Sequence, residues 1–88
     1  MQMLRSEFIN TVSKIVNESR VSEYGKPEDS FANIASFWST YLDTDISRED
    51  VAVMMALLKI ARIKANIKHT DSWVDLAGYA VCGGSESE

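Results

Sequence analysis

The chain of 88 residues is poor in the residues that staple or punctuate small folds, with one cysteine, one proline, one histidine and four glycines. A lone cysteine, Cys82, forms no intramolecular disulfide, which excludes a disulfide-stapled secreted domain. Basic residues are also few: nine Lys and Arg stand against thirteen acids, for a formal net charge of -4. A general nucleic-acid binder needs a basic face, so direct nucleic-acid binding is not expected. Long apolar runs are missing too. The longest, Val51 to Leu58, is about half of what a membrane-spanning helix requires. The first residues, with Arg5 and Glu7, contain no apolar h-region of a signal peptide, so a soluble cytoplasmic protein with no membrane partner is expected. There is no P-loop, no dinucleotide-binding glycine pattern and no zinc-ligand spacing.

What is present points to one small helical domain. The hydrophobic fraction, 45%, is too high for a disordered chain, and the length suits a single small core. Leu4, Phe8, Val12, Ile15 and Val16 recur at helical spacing and predict a first helix over 4–20. Pro27 disfavours a helical residue before it, so Arg20 to Ser30 reads as a loop, with Asp29 or Ser30 capping the next helix. Phe31, Ile34, Ala35, Trp38, Tyr41 and Leu42 form the stripe of that second helix, and both tryptophans, Trp38 and Trp73, read as core.

Ser47 and Asp50 resemble a capping box that opens a third helix over about 48–66, apolar nearly all round from Val51 to Leu58. Such a helix is the buried centre of a bundle or an oligomer interface. Thr70 is the expected cap of a fourth helix over about 71–82, with Asp71 at its positive end and Gly83 as its stop. Gly78 inside that helix is expected to permit a close helix contact. No strand alternation or internal repeat appears. The expectation is an all-α fold: a compact bundle of about four helices in one domain, 1–82, followed by a flexible acidic tail, 83–88. Four short helices bury little core, so a homo-oligomer is expected.

The chemistry-bearing residues fall on the last two helices and one loop. Lys59 and Arg62, spaced i, i+3, share one face of the third helix; Asp71 and Asp75, spaced i, i+4, share one face of the fourth, and Tyr79 continues it. Two cations facing two carboxylates read first as a structural ion network that sets helix packing. The alternative is a site, in which Lys59 and Arg62 hold a phosphate while Asp71 and Asp75 hold Mg²⁺ or the cations. In the loop, Tyr24 offers a ring on which a base stacks and Lys26 a charge for its phosphate; the plainer reading is a turn with Tyr24 packed on the core. His69 reads as an exposed turn residue and Cys82 as a small apolar one. No catalytic residue is identified, and Mg²⁺ is the one cofactor considered.

The combination of Tyr24-Gly25, Asn33-Ile34-Ala35, Trp38, Leu42, Asp50-Val51, Met54-Met55, Leu57-Leu58-Lys59-Ile60-Ala61-Arg62, Asp71 and Asp75-Leu76-Ala77-Gly78-Tyr79-Ala80 resembles a family of small phage and prophage proteins. A looser similarity is to the MazG-like all-α nucleotide pyrophosphohydrolases, although their paired-glutamate E-E-x-x-E pattern is missing here. The resemblance implies a compact helical protein of the host cytoplasm with no settled activity. Beside the residues above, the expected role is a phage accessory protein that binds a nucleotide or nucleotide-derived immune signal without turning it over. The alternatives are an inhibitor of a host defence protein and a Mg²⁺-dependent nucleotide pyrophosphohydrolase.

Overall fold

The structure, a computed structural model, describes residues 3–85. Among them the chain is all-helical and has no strands. The first helical rod, α1, covers 5–24 without a break: an α-helical stretch Arg5–Lys14, a π-helical turn Ile15–Ser19 and a second α-helical stretch Arg20–Tyr24. The next three helices are α2 (Pro27–Leu42), α3 (Arg48–Ala65) and α4 (Thr70–Gly84).

The expected loop over Arg20 to Ser30 is therefore mostly helix, and only Gly25 and Lys26 separate α1 from α2. Gly25 makes so sharp a break possible. Its φ of 82° lies in the left-handed region, which a side chain resists. The restraint from Pro27 is also obeyed, but later than expected: Lys26 is extended, and Pro27 itself opens α2 in place of Asp29 or Ser30. A proline in the first helical position loses no hydrogen bond, because that N–H would have had no partner.

The α3 start matches its reading. Ser47 Oγ accepts from the Asp50 N–H at 3.0 Å, and the Ser47 N–H donates to Asp50 Oδ2 at 2.9 Å. Just upstream, Ser39 Oγ accepts from the Ile46 N–H at 2.9 Å and donates to the Ile46 carbonyl, tying the α2–α3 connection back onto α2. At α4 the expected cap moves by one residue. His69 occupies the cap position, Thr70 is the first helical residue, and His69 Nδ1 lies 2.7 Å from Ser72 Oγ. Gly83 is not the stop either, since α4 runs through it to Gly84. Of the expected tail, residues 86–88 lie outside the described residues.

The principal helix contact is α3 against α4, supported by α2 on α3 and by α1 on α4. Among the described residues the buried apolar ones are few and mostly small: Val12, Ala35, Val51, Ala52, Ile63 and Val74. The two tryptophans do not join them. Trp38 is half-buried, and Trp73 is 41% exposed, with its indole N–H donating to the Ile67 carbonyl at 2.8 Å. The molecule is a slab of 42 × 32 × 20 Å with a radius of gyration of 13.7 Å, above the roughly 12 Å of a compact domain this long.

Gly78 also departs from its reading. A methyl group there would meet Val16 Cγ2 at an ordinary 3.7 Å, so no close approach depends on it. The glycine that does is Gly83, where a methyl would lie 2.7 Å from the Ala52 Cβ.

Candidate functional site

The π-helical turn, the Gly25 break and the middle of α4 enclose a cavity of about 400 Å³. Its size lies within the range of small-molecule sites. A π-turn accommodates an extra residue in a helix, and such turns recur at functional sites. Here Ile15 and Val16 from the turn form an apolar wall. Tyr24, from the last α1 residues, is 62% exposed at the rim, so it presents its ring to solvent and is not packed on the core. Phe31 and Tyr79 supply two further rings whose centroids are 6.1 Å apart and tilted by 32°, within the range of a favourable aromatic pair.

The polar groups converge on one carboxylate. Lys59 Nζ lies 3.0 Å from Asp75 Oδ2, and Arg20 lies 3.7 Å from Asp75 Oδ1. The Lys59 and Asp75 side chains retain 17% and 21% exposure, so this pair sits where solvent screens it little. Two cations around one carboxylate leave a formal charge of +1 in a cavity otherwise lined mainly by rings and aliphatic carbon, with Ser30 and Cys82 the remaining polar side chains.

Of the residues singled out from the sequence, Tyr24, Lys59 and Asp75 meet at this cavity. Lys26 lines a second cavity of about 360 Å³ beside Glu28 and Arg48. Arg62 and Asp71 are exposed and line neither cavity. The ion network between α3 and α4 is therefore a single pair, Lys59–Asp75, extended to α1 by Arg20. Among the described residues, no three His, Cys, Asp or Glu side chains gather as metal ligands do. The same residues include no helix long and apolar enough to cross a membrane.

Arg20 and Phe31 were missed by the sequence reading. Arg20 lies four residues before Tyr24, one helical turn away, and that spacing was the available signal. The expected loop over Arg20 to Ser30 hides that spacing, because only a helix gives it meaning.

Cys82 lines both cavities. Burial, and secondarily the nearby Glu28 carboxylate, push its thiol above the ordinary range and keep it protonated at neutral pH. Iodoacetamide is therefore expected to alkylate Cys82 several-fold more slowly than a free cysteine at pH 8. A raised thiol favours the folded state fully below the ordinary thiol range, and that contribution is lost as pH climbs through the raised value. Peptide mass mapping across pH 7–10 checks the expectation; a rate equal to that of free cysteine contradicts it.

Two relatives set this site in context. The chain is 39% identical to the Gene 55 protein of Mycobacterium phage D29 over 79 residues, covering 90% of this chain and 52% of that protein. It is 44% identical to the Gene 55 protein of Mycobacterium phage L5 over 73 residues, covering 82% of this chain and 47% of that one. The chain thus spans about half the length of the curated relatives it matches. No solved structure matches it. The family model described as Domain of unknown function (DUF6378) matches residues 7–87, and the chain belongs to that family.

Proposed function

We propose that the cavity between α1, α2 and α4 binds a small anion that carries a planar ring, a nucleotide or a nucleotide-derived signal, and holds it without chemical change. The observation that carries this reading is the pairing of two cations, Arg20 and Lys59, with the single carboxylate of Asp75 beside the rings of Tyr24, Phe31 and Tyr79. A phosphate entering the cavity competes with Asp75 for both cations, and charge-assisted hydrogen bonds to phosphate are among the strong ones. A base stacks on the exposed Tyr24 ring, a contact of about 1–3 kcal/mol in other nucleic-acid sites. In a chain whose relatives are phage proteins, sequestering a signal made by the infected cell is the use that suits a binder with no assigned catalytic group.

The hydrolase reading loses its support at Asp71, which lies outside the cavity that holds Asp75. Inhibition of a host protein is the second reading. It draws on Phe37 and Tyr41, one turn apart on α2 and 73% and 88% exposed, where they offer a partner two aromatic anchors. Self-association belongs to the proposal as well, since the helices bury so few large apolar side chains.

Thermal-shift measurement against mononucleotides, cyclic dinucleotides and ADP-ribose tests the binder. A ligand at a hundred times its Kd stabilises by about 2.7 kcal/mol, and each kcal/mol raises Tm by roughly 4–8 °C in a domain this size. The ligand is expected back intact after denaturation. Arg20→Ala and Lys59→Met abolish the shift, while Arg62→Ala retains it. A flat response to the whole panel overturns the proposal.

A further inference from the structure

The third helix is apolar on two opposite sides, and its own fold covers one of them. Val51, Ala52 and Ile63 are buried on the inner side. On the outer side Val53, Leu57 and Ile60 remain 48–58% exposed. At 100° per residue, Asp50, Val53, Leu57, Ile60 and Lys64 fall in one stripe, with steps of three and four residues. That alternation is the seam of two helices packed side by side.

We infer that this outer face of α3 pairs with the same face of a second copy, the two helices running antiparallel about a two-fold axis beside Leu57. The direction follows from charge. Asp50 lies seven residues before Leu57 and Lys64 seven residues after it. Antiparallel pairing brings Glu49 and Asp50 in the acidic first turn of α3 beside Lys64 in the basic last turn of the second copy. Parallel pairing would set acid against acid and base against base, and would also align the two helix dipoles unfavourably. A two-fold axis makes the same patch serve both subunits, which is what a symmetric stripe centred on Leu57 allows.

The exposed apolar side chains of the stripe amount to on the order of 300 Å², at the lower edge of the largest apolar patches found on monomers. A standard interface takes about 800 Å² per partner, so polar residues at the rim complete it and the dimer is of modest affinity. The cavity lies on the opposite, inner side of α3, where Lys59 is half-buried, and this pairing leaves it open. The inference therefore stands or falls independently of the binder.

Sedimentation velocity across the micromolar range is expected to show the 9.8 kDa chain passing to twice that mass. Leu57→Glu places two carboxylates beside the axis and is expected to weaken the dimer by at least about thirtyfold. Its circular dichroism stays unchanged, because Leu57 is 58% exposed within one copy. Spin labels on Ala65→Cys in a Cys82→Ser background report the direction. Antiparallel helices hold the two labels on the order of 25 Å apart, whereas parallel ones bring them together. A chain that stays at one mass, a dimer indifferent to Leu57→Glu, or adjacent labels would each overturn the inference.

Discussion

Asp75→Asn is expected to lower the stability of the protein and raise its affinity for an anionic ligand. The two effects come from the same charges. Asp75 holds Lys59 at 3.0 Å and Arg20 at 3.7 Å. Removing its charge leaves two cations facing each other, one of them largely covered, at a cost of about 1–3 kcal/mol. The amide keeps the shape of the carboxylate, so the cavity persists. Its formal charge rises from +1 to +2, and an incoming phosphate no longer displaces an internal competitor. Affinity is expected to rise about tenfold, which corresponds to 1.4 kcal/mol and is modest beside the Coulomb energy of an ion pair at this depth. Calorimetric titration beside urea denaturation separates the terms. A purely structural ion pair would show the loss of stability with no gain in binding. The gain should also shrink with added salt, because the cavity opens to solvent through Tyr24.

The second large effect is at Gly83. Alanine there sets its Cβ 2.7 Å from the Ala52 Cβ, closer than two such carbons approach. Neither group has a rotamer to relax into, and Ala52 is buried. The helices must therefore separate along the α3–α4 contact, the largest in the fold. Overpacking of this kind costs about 1–3 kcal/mol, and the better helix propensity of alanine recovers up to about 1 kcal/mol of it. Small domains have stabilities near the lower end of about 5–15 kcal/mol, so the remainder is a large fraction of the total. Gly78→Ala is the control in the same helix. Its methyl meets Val16 at 3.7 Å, an ordinary contact, and it is expected to stabilise by about 0.5–1 kcal/mol. Denaturation midpoints at one protein concentration check both. Equal effects at the two glycines would contradict the close approach.

Both effects bear on how much of the molecule can be read from its residues. The Ser47–Asp50 capping box, the extent of α3 and the number of helices follow from local chemistry, because caps and apolar spacing act within a turn or two. The α1 rod does not. Its π-turn at Ile15–Ser19 takes up an extra residue and rotates everything after it by about 100° relative to a plain α-helix. Pro27 and Gly25 mark a break, so Arg20 through Tyr24 reads as loop, whereas the rod runs on to Tyr24 and the break is confined to Gly25 and Lys26.

The candidate site was legible to a similar degree. Lys59 and Asp75 stand out by spacing and Tyr24 by its place beside Gly25 and Lys26, and the three meet at the cavity. Arg62 shares the helix of Lys59 but sits about 60° around it and about 4.5 Å further along, enough to leave the cavity wall. Asp71, one turn before Asp75, lies in the first turn of α4 and outside the cavity. Spacing identifies a shared face; it does not say where along that face a neighbouring helix ends. Gly83 was invisible for the same reason, since its constraint comes from Ala52, thirty-one residues earlier.

The central claim, a built cavity that holds a nucleotide-like anion, meets its most direct test in native mass spectrometry of the intact chain mixed with the nucleotide panel. The account predicts a complex carrying one intact nucleotide-sized ligand per chain, retained by Arg62→Ala and lost with Arg20→Ala. A spectrum of bare protein with every ligand, or a complex that Arg20→Ala leaves untouched, would contradict it.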